Sequence, residues 1–84
     1  MDLAEQVQEI ESRQDFVSFV QALRQDFAAT PELWENRDVD SFLDALAAWV
    51  GGMDGYYRNI GAPPPEQLTW RVLGDMLMAA TMYE

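Results

Sequence analysis

Between Gly51-Gly52 and Pro63-Pro64-Pro65 the chain changes character. Paired glycines favour the end of a helix. Proline lacks the amide N–H and clashes with the preceding turn, so the triproline excludes a helix interior or a central strand. The fold must therefore join a helical first part to a final helix through a Gly/Pro segment. That segment holds two adjacent tyrosines, Tyr56 and Tyr57. Asp54-Gly55 reads as a turn. Met53 to Ile60 hints at a strand, and Gly55 weakens it. The segment is expected to be a strap across the core, with Tyr57 as its anchor and Tyr56 as an exposed neighbour. A binding loop is the other reading, since long structureless loops are often functional.

The rest of the chain reads as helix. Leu3, Val7 and Ile10 fall at i, i+4 and i+7. Phe16, Val20, Leu23 and Phe27 form a second stripe, flanked by Val17 and Phe19. On one continuous helix Phe16 would lie about 220° round from Leu3, so the two stripes would face nearly opposite ways. A break at Ser12 is simpler. Ser12 offers an N-cap, and Asp15 a short version of the capping-box acid. Thr30-Pro31-Glu32-Leu33 predicts a single helical turn. Asn36 or Asp38 is expected to cap the next helix, whose stripe is Val39, Phe42, Leu43, Leu46, Trp49 and Val50. Asp40 and Asp44 fall on its solvent face.

The last helix is expected from about Glu66 to Met82. Its apolar residues wrap most of the circumference and leave Gln67, Arg71, Gly74, Asp75 and Thr81 as a narrow polar strip. Such a helix is either central or partly docked on another molecule. The whole predicts one all-α domain over residues 1–84. Three main helices pack orthogonally or as a small bundle, with a short N-terminal helix added.

Charge narrows the partners. The 84 residues carry 15 acids and five bases, all five arginine, for a net charge of −10. Residues 1–50 hold 11 acids and three arginines. Such a field repels nucleic acid and anionic membrane and attracts basic partners; the plainer reading is solubility. No apolar run approaches the ~20 residues of a membrane span. The acidic start, Met1-Asp2-Leu3-Ala4-Glu5, does not read as a signal peptide. The cytoplasm is the expected compartment.

Chemistry is narrowed further. Histidine, cysteine and lysine are all absent, which removes the usual general base, thiol nucleophile, Schiff-base amine and zinc ligands. Asp38, Asp40 and Asp44 lack the glycine and terminal glutamate of a calcium loop. Gly51-Gly52-Met53-Asp54-Gly55 lacks the lysine of a phosphate loop. Ser12 and Ser41 have no histidine partner. No cofactor or metal is expected, and an enzyme using carboxylates alone is the remaining catalytic alternative.

For binding, Tyr56, Tyr57 and Arg58 are residue types that interfaces favour. Met78 and Met82 lie beside the polar strip and are candidate contact points, whereas Met76 is expected in the core. Trp34 is expected to be a lid on that core, and Trp49 and Trp70 to be structural.

The order Ser12-Arg13-Gln14-Asp15-Phe16, Trp34-Glu35-Asn36, Phe42-Leu43-x-Ala45-Leu46-x-x-Trp49, Tyr57-x-Asn59, Trp70 and Ala79-Ala80-x-x-Tyr83-Glu84 resembles a bacterial family of short domains of unknown function. The resemblance implies a compact single domain and carries no catalytic residues. Its aromatic positions suit a packing framework, with Asn36, Asn59 and Glu84 as polar members that cap backbone groups.

The expected function is a non-enzymatic protein-interaction module. Its candidate partner-binding residues are Asp40, Asp44, Tyr56, Met78 and Met82. The partner is an unidentified protein, a basic one or a second copy of the chain, and neither nucleic acid nor membrane. An immunity or antitoxin-like protein that neutralises a basic toxin is the narrower alternative.

Overall fold

The break before Ser12 organises the first part of the fold. In the computed structural model, which describes residues 2–83, α1 spans Leu3–Gln8 and α2 spans Arg13–Ala29. Asp2 caps α1 by accepting the Glu5 amide at 2.8 Å. Ser12 Oγ caps α2 by accepting the Asp15 amide at 3.1 Å. The Asp15 carboxylate reaches back one residue further than in a capping box and accepts from the Glu11 amide. The break lets α1 fold back, so that Val7 and Ile10 meet Phe19 and Leu23 in one buried cluster. A straight helix would have turned those stripes apart.

Pro31–Leu33 forms the expected single turn, a 3-10 helix. Asp38, rather than Asn36, caps α3, Val39–Gly51. It accepts the Ser41 amide at 2.8 Å and the Ser41 hydroxyl at 3.0 Å. Those bonds favour the carboxylate and hold the Asp38 pKa below its ordinary value. Gly52 ends α3.

The Gly/Pro segment differs from the expected strap. Its first half is a helix, α4, Met53–Asn59. Asp54 lies in the first turn and Arg58 in the last, each where the helix dipole favours its charge. Gly61, at φ +77°, closes it. The Gly61 amide donates to the Arg58 carbonyl and the Ala62 amide to that of Tyr57, a Schellman motif. No part of Met53–Ile60 is a strand. Only the triproline stretch that follows crosses without regular structure. Tyr57 is the anchor, 6% exposed, and Tyr56 its outer neighbour, 41% exposed.

The last helix, α5, starts later than expected, at Trp70, because Thr69 Oγ1 caps it by accepting the Val72 amide at 3.1 Å. It runs to Met82 and packs against α1, α2 and α3. It is the central helix, and its supposed polar strip is the correction that matters most. Gly74 and Thr81 are buried. A Cβ on Gly74 would sit 2.6 Å from Ile10 Cδ1 and 3.0 Å from Val7 Cγ2, so glycine is what lets α1 come this close. The Thr81 carbonyl accepts from the Glu35 and Asn36 amides. Asn36 Nδ2 donates to the carbonyls of Ala80, at 2.9 Å, and Tyr83, at 2.7 Å. Asn36 is thus a cap, but for the far end of α5. Glu84 lies outside the described residues, which contain five α-helices, the 3-10 turn and no strand.

Candidate functional site

Two helices that share a floor need not touch each other. Here α2 and α3 both pack on α5 and leave an open groove between them. Its volume is about 350 Å³. Leu77 of α5 forms the floor, Val20, Leu23 and Phe27 the α2 wall, and Phe42 the α3 wall. Trp34 closes one end. Its ring lies 5.0 Å from Phe27 and 6.2 Å from Phe42, and its indole N–H donates to Asp26 at 2.8 Å. Trp34 is therefore a lid on the core, as its position in the chain predicts, and also a wall of the groove.

The lips of this groove are apolar and open. Val39 is 75% exposed and Leu43 55%, although both belong to the stripe expected to be core. The reason is geometric: Trp49, at one edge of that stripe, and Ala45, just outside it, take the buried face of α3. Arg24 and Arg37 stand at the rim. Arg37 is held there, donating to the Trp34 carbonyl at 2.9 Å and the Glu32 carbonyl at 3.1 Å. Sequence reasoning missed the groove. The signal was the width of the stripes: Phe16, Val17, Phe19, Val20, Leu23 and Phe27 cover more of α2 than one buried face can use.

The five residues singled out from the sequence fall on separate surfaces. Asp40 and Asp44 are exposed on α3 and share a polar hollow of about 240 Å³ with Glu35 and Tyr83. Tyr56 packs outside Tyr57 and Trp49, with ring centroids at 5.1 and 5.3 Å. Met78 is half-buried against the core cluster beside Leu3. Met82 is exposed at the end of α5.

A second polar feature joins α4 to α5. The Tyr57 hydroxyl donates to Asp75 Oδ2 at 2.7 Å beside a hollow of about 310 Å³ that Arg71 and Pro63 help to line. Burial raises the Asp75 pKa, against the opposing pull of the Tyr57 bond and Arg71. Burial, then the bond to Asp75, raises that of Tyr57. The pair works as a latch between α4 and α5, with the phenol donating and the Asp75 oxygen accepting. Among the described residues no three Asp or Glu side chains converge as a metal site requires, and no helix is long and apolar enough to cross a membrane.

Comparison with known proteins bears on the helices that build the groove. No curated protein and no solved structure matches the chain. A family model matches residues 12–84, from the cap of α2 onward, and leaves α1 outside. Both walls of the groove and its floor lie within that match, and the chain belongs to this family of unknown function, DUF7660.

Proposed function

We propose that this chain is a non-enzymatic protein-interaction module that engages another polypeptide through the groove between α2 and α3. One observation carries the reading: Val39 and Leu43 stand exposed beside an apolar groove that the fold leaves open. Large apolar side chains grouped at a groove mark contact surfaces. The absence of histidine, cysteine and lysine from the sequence supports a role without catalysis, as does the pairing of Asp75 with a phenol rather than a second carboxylate. A cytoplasmic location belongs to the same proposal.

The test is a tagged chain expressed beside an untagged copy, with the eluate read by mass spectrometry, so that a foreign partner and a self partner both register. Leu43→Glu should abolish retention. Ile60→Glu, an exposed position on another face, should leave it unchanged. Equal retention by both variants contradicts the reading.

A narrower second reading is favoured by Glu35, Asp40 and Asp44 around one polar hollow: neutralisation of a basic protein, as an antitoxin does to a nuclease. It predicts capture of a basic protein that is lost at high salt and with Asp40→Lys/Asp44→Lys.

A further inference from the structure

We infer that the hollow where α4, the triproline stretch and α5 meet is a binding site for a small zwitterion, a free α-amino acid with an apolar side chain. The site lies apart from the groove between α2 and α3 and shares no lining residue with it. Two opposite charges held side by side carry the assignment. Arg71 and Asp75 are four residues apart on α5, a spacing that puts their Cβ atoms about 5–6 Å from each other on one face of the helix. Both line the hollow. They act on each other through charge, without a hydrogen bond between them. The Tyr57 hydroxyl fixes the Asp75 side chain by donating to Oδ2 at 2.7 Å, which leaves Oδ1 for another donor.

Charge selects the class of ligand. A lone cation would be drawn to Asp75 and repelled by Arg71, and a lone anion would meet the reverse. A ligand whose ammonium and carboxylate sit on one carbon gives the first to Asp75 and the second to Arg71. Both contacts are then charge-assisted hydrogen bonds. The ammonium also offsets the burial that raises the Asp75 pKa. The volume, about 310 Å³, lies at the low end of small-molecule pockets, so the ligand is small. The remaining walls select its side chain. Tyr56, Pro63 and Pro65 offer aromatic and apolar surface, and Tyr56 is 41% exposed. An aliphatic or aromatic side chain laid against them takes that surface out of water.

Titration of the purified full chain with single amino acids, followed by amide chemical shifts, tests this. Phenylalanine and leucine should shift Tyr56, Ala62 and Val72. Glutamate and lysine, which bring a further charge to the apolar walls, should bind more weakly. N-acetylphenylalanine lacks the ammonium and phenylalaninamide the carboxylate. Each should bind about tenfold or more weakly than phenylalanine, because one charge-assisted contact is lost. Asp75→Asn keeps an oxygen for Tyr57, and Arg71→Gln changes an exposed side chain. Both variants should keep the wild-type circular dichroism and lose phenylalanine binding by a similar factor. No shift at these residues with either phenylalanine or leucine overturns the inference. So does either derivative binding as tightly as phenylalanine, or binding indifferent to either substitution. Loss of partner retention in Leu43→Glu reports on the groove alone, so failure here leaves the reading of the groove standing.

Discussion

At the scale of single residues, Gly74 and Tyr57 do the most. Alanine is ordinarily better than glycine inside a helix by about 1 kcal/mol. At position 74 the added methyl meets Ile10 Cδ1 inside a closed cluster, and overpacking of this kind costs about 1–3 kcal/mol. Gly74→Ala should therefore lower stability by about 1 kcal/mol in urea unfolding instead of raising it. Ile10→Val removes the opposing atom, so the double variant should be more stable than the two single changes add up to. Tyr57→Phe removes a donor from a half-buried carboxylate and should cost about 1–2 kcal/mol. It should also move the Asp75 titration, read by carboxyl NMR, further above its ordinary value. The pH dependence has a definite sign. The folded state holds the Asp75 proton more tightly than the unfolded chain, so this group's contribution is greatest below about pH 3.8 and falls as pH rises through the folded value. Tyr57 acts likewise at the alkaline end: its contribution is complete below about pH 10 and is lost as pH climbs above that. Tyr57 was legible as an anchor because a lone strap needs one. Gly74 was not, because a glycine beside Asp75 and Arg71 reads as a polar strip until α1 is known to lie against it.

At the scale of elements, the caps explain what could be read and what could not. Ser12, Thr30-Pro31 and Gly51-Gly52 are local signals, and each marks a boundary within a residue or two. α4 was hidden because Asp54-Gly55 is a strong turn signal, whereas its stabilisation comes from Tyr57 packing on Trp49 and from the Gly61 closure. The late start of α5 follows from Thr69, a cap outweighed in the sequence by the triproline just before it. Asn36 acts between elements, joining the loop before α3 to the end of α5 across 44 residues of sequence. Asn36→Ala should cost about 1–2 kcal/mol. Its signature is faster amide hydrogen exchange at Met82 and Tyr83, with exchange in α2 unchanged. Equal exchange in both proteins would mean that the end of α5 is held without Asn36.

At the scale of the whole molecule, the size of the chain sets the problem. A domain this small buries roughly 60% of its unfolded surface, and α5 serves as the common floor for α1, α2 and α3. Placing α2 and α3 on that floor leaves the gap between them open, with Val20, Val39 and Leu43 at its edges. The all-α architecture was readable from periodicity, but the gap was not, because periodicity shows which face is apolar and not which neighbour covers it. The charge asymmetry of the sequence is not mirrored at the groove: Arg24, Arg37 and Asp38 border it, while Asp40 and Asp44 line a separate polar hollow. The most direct measurement is partner retention by the tagged chain, compared for the wild type, Leu43→Glu at the groove and Ile60→Glu on another face. The account predicts that Leu43→Glu loses the partner and Ile60→Glu keeps it. Equal retention by both variants would contradict a contact surface at this groove.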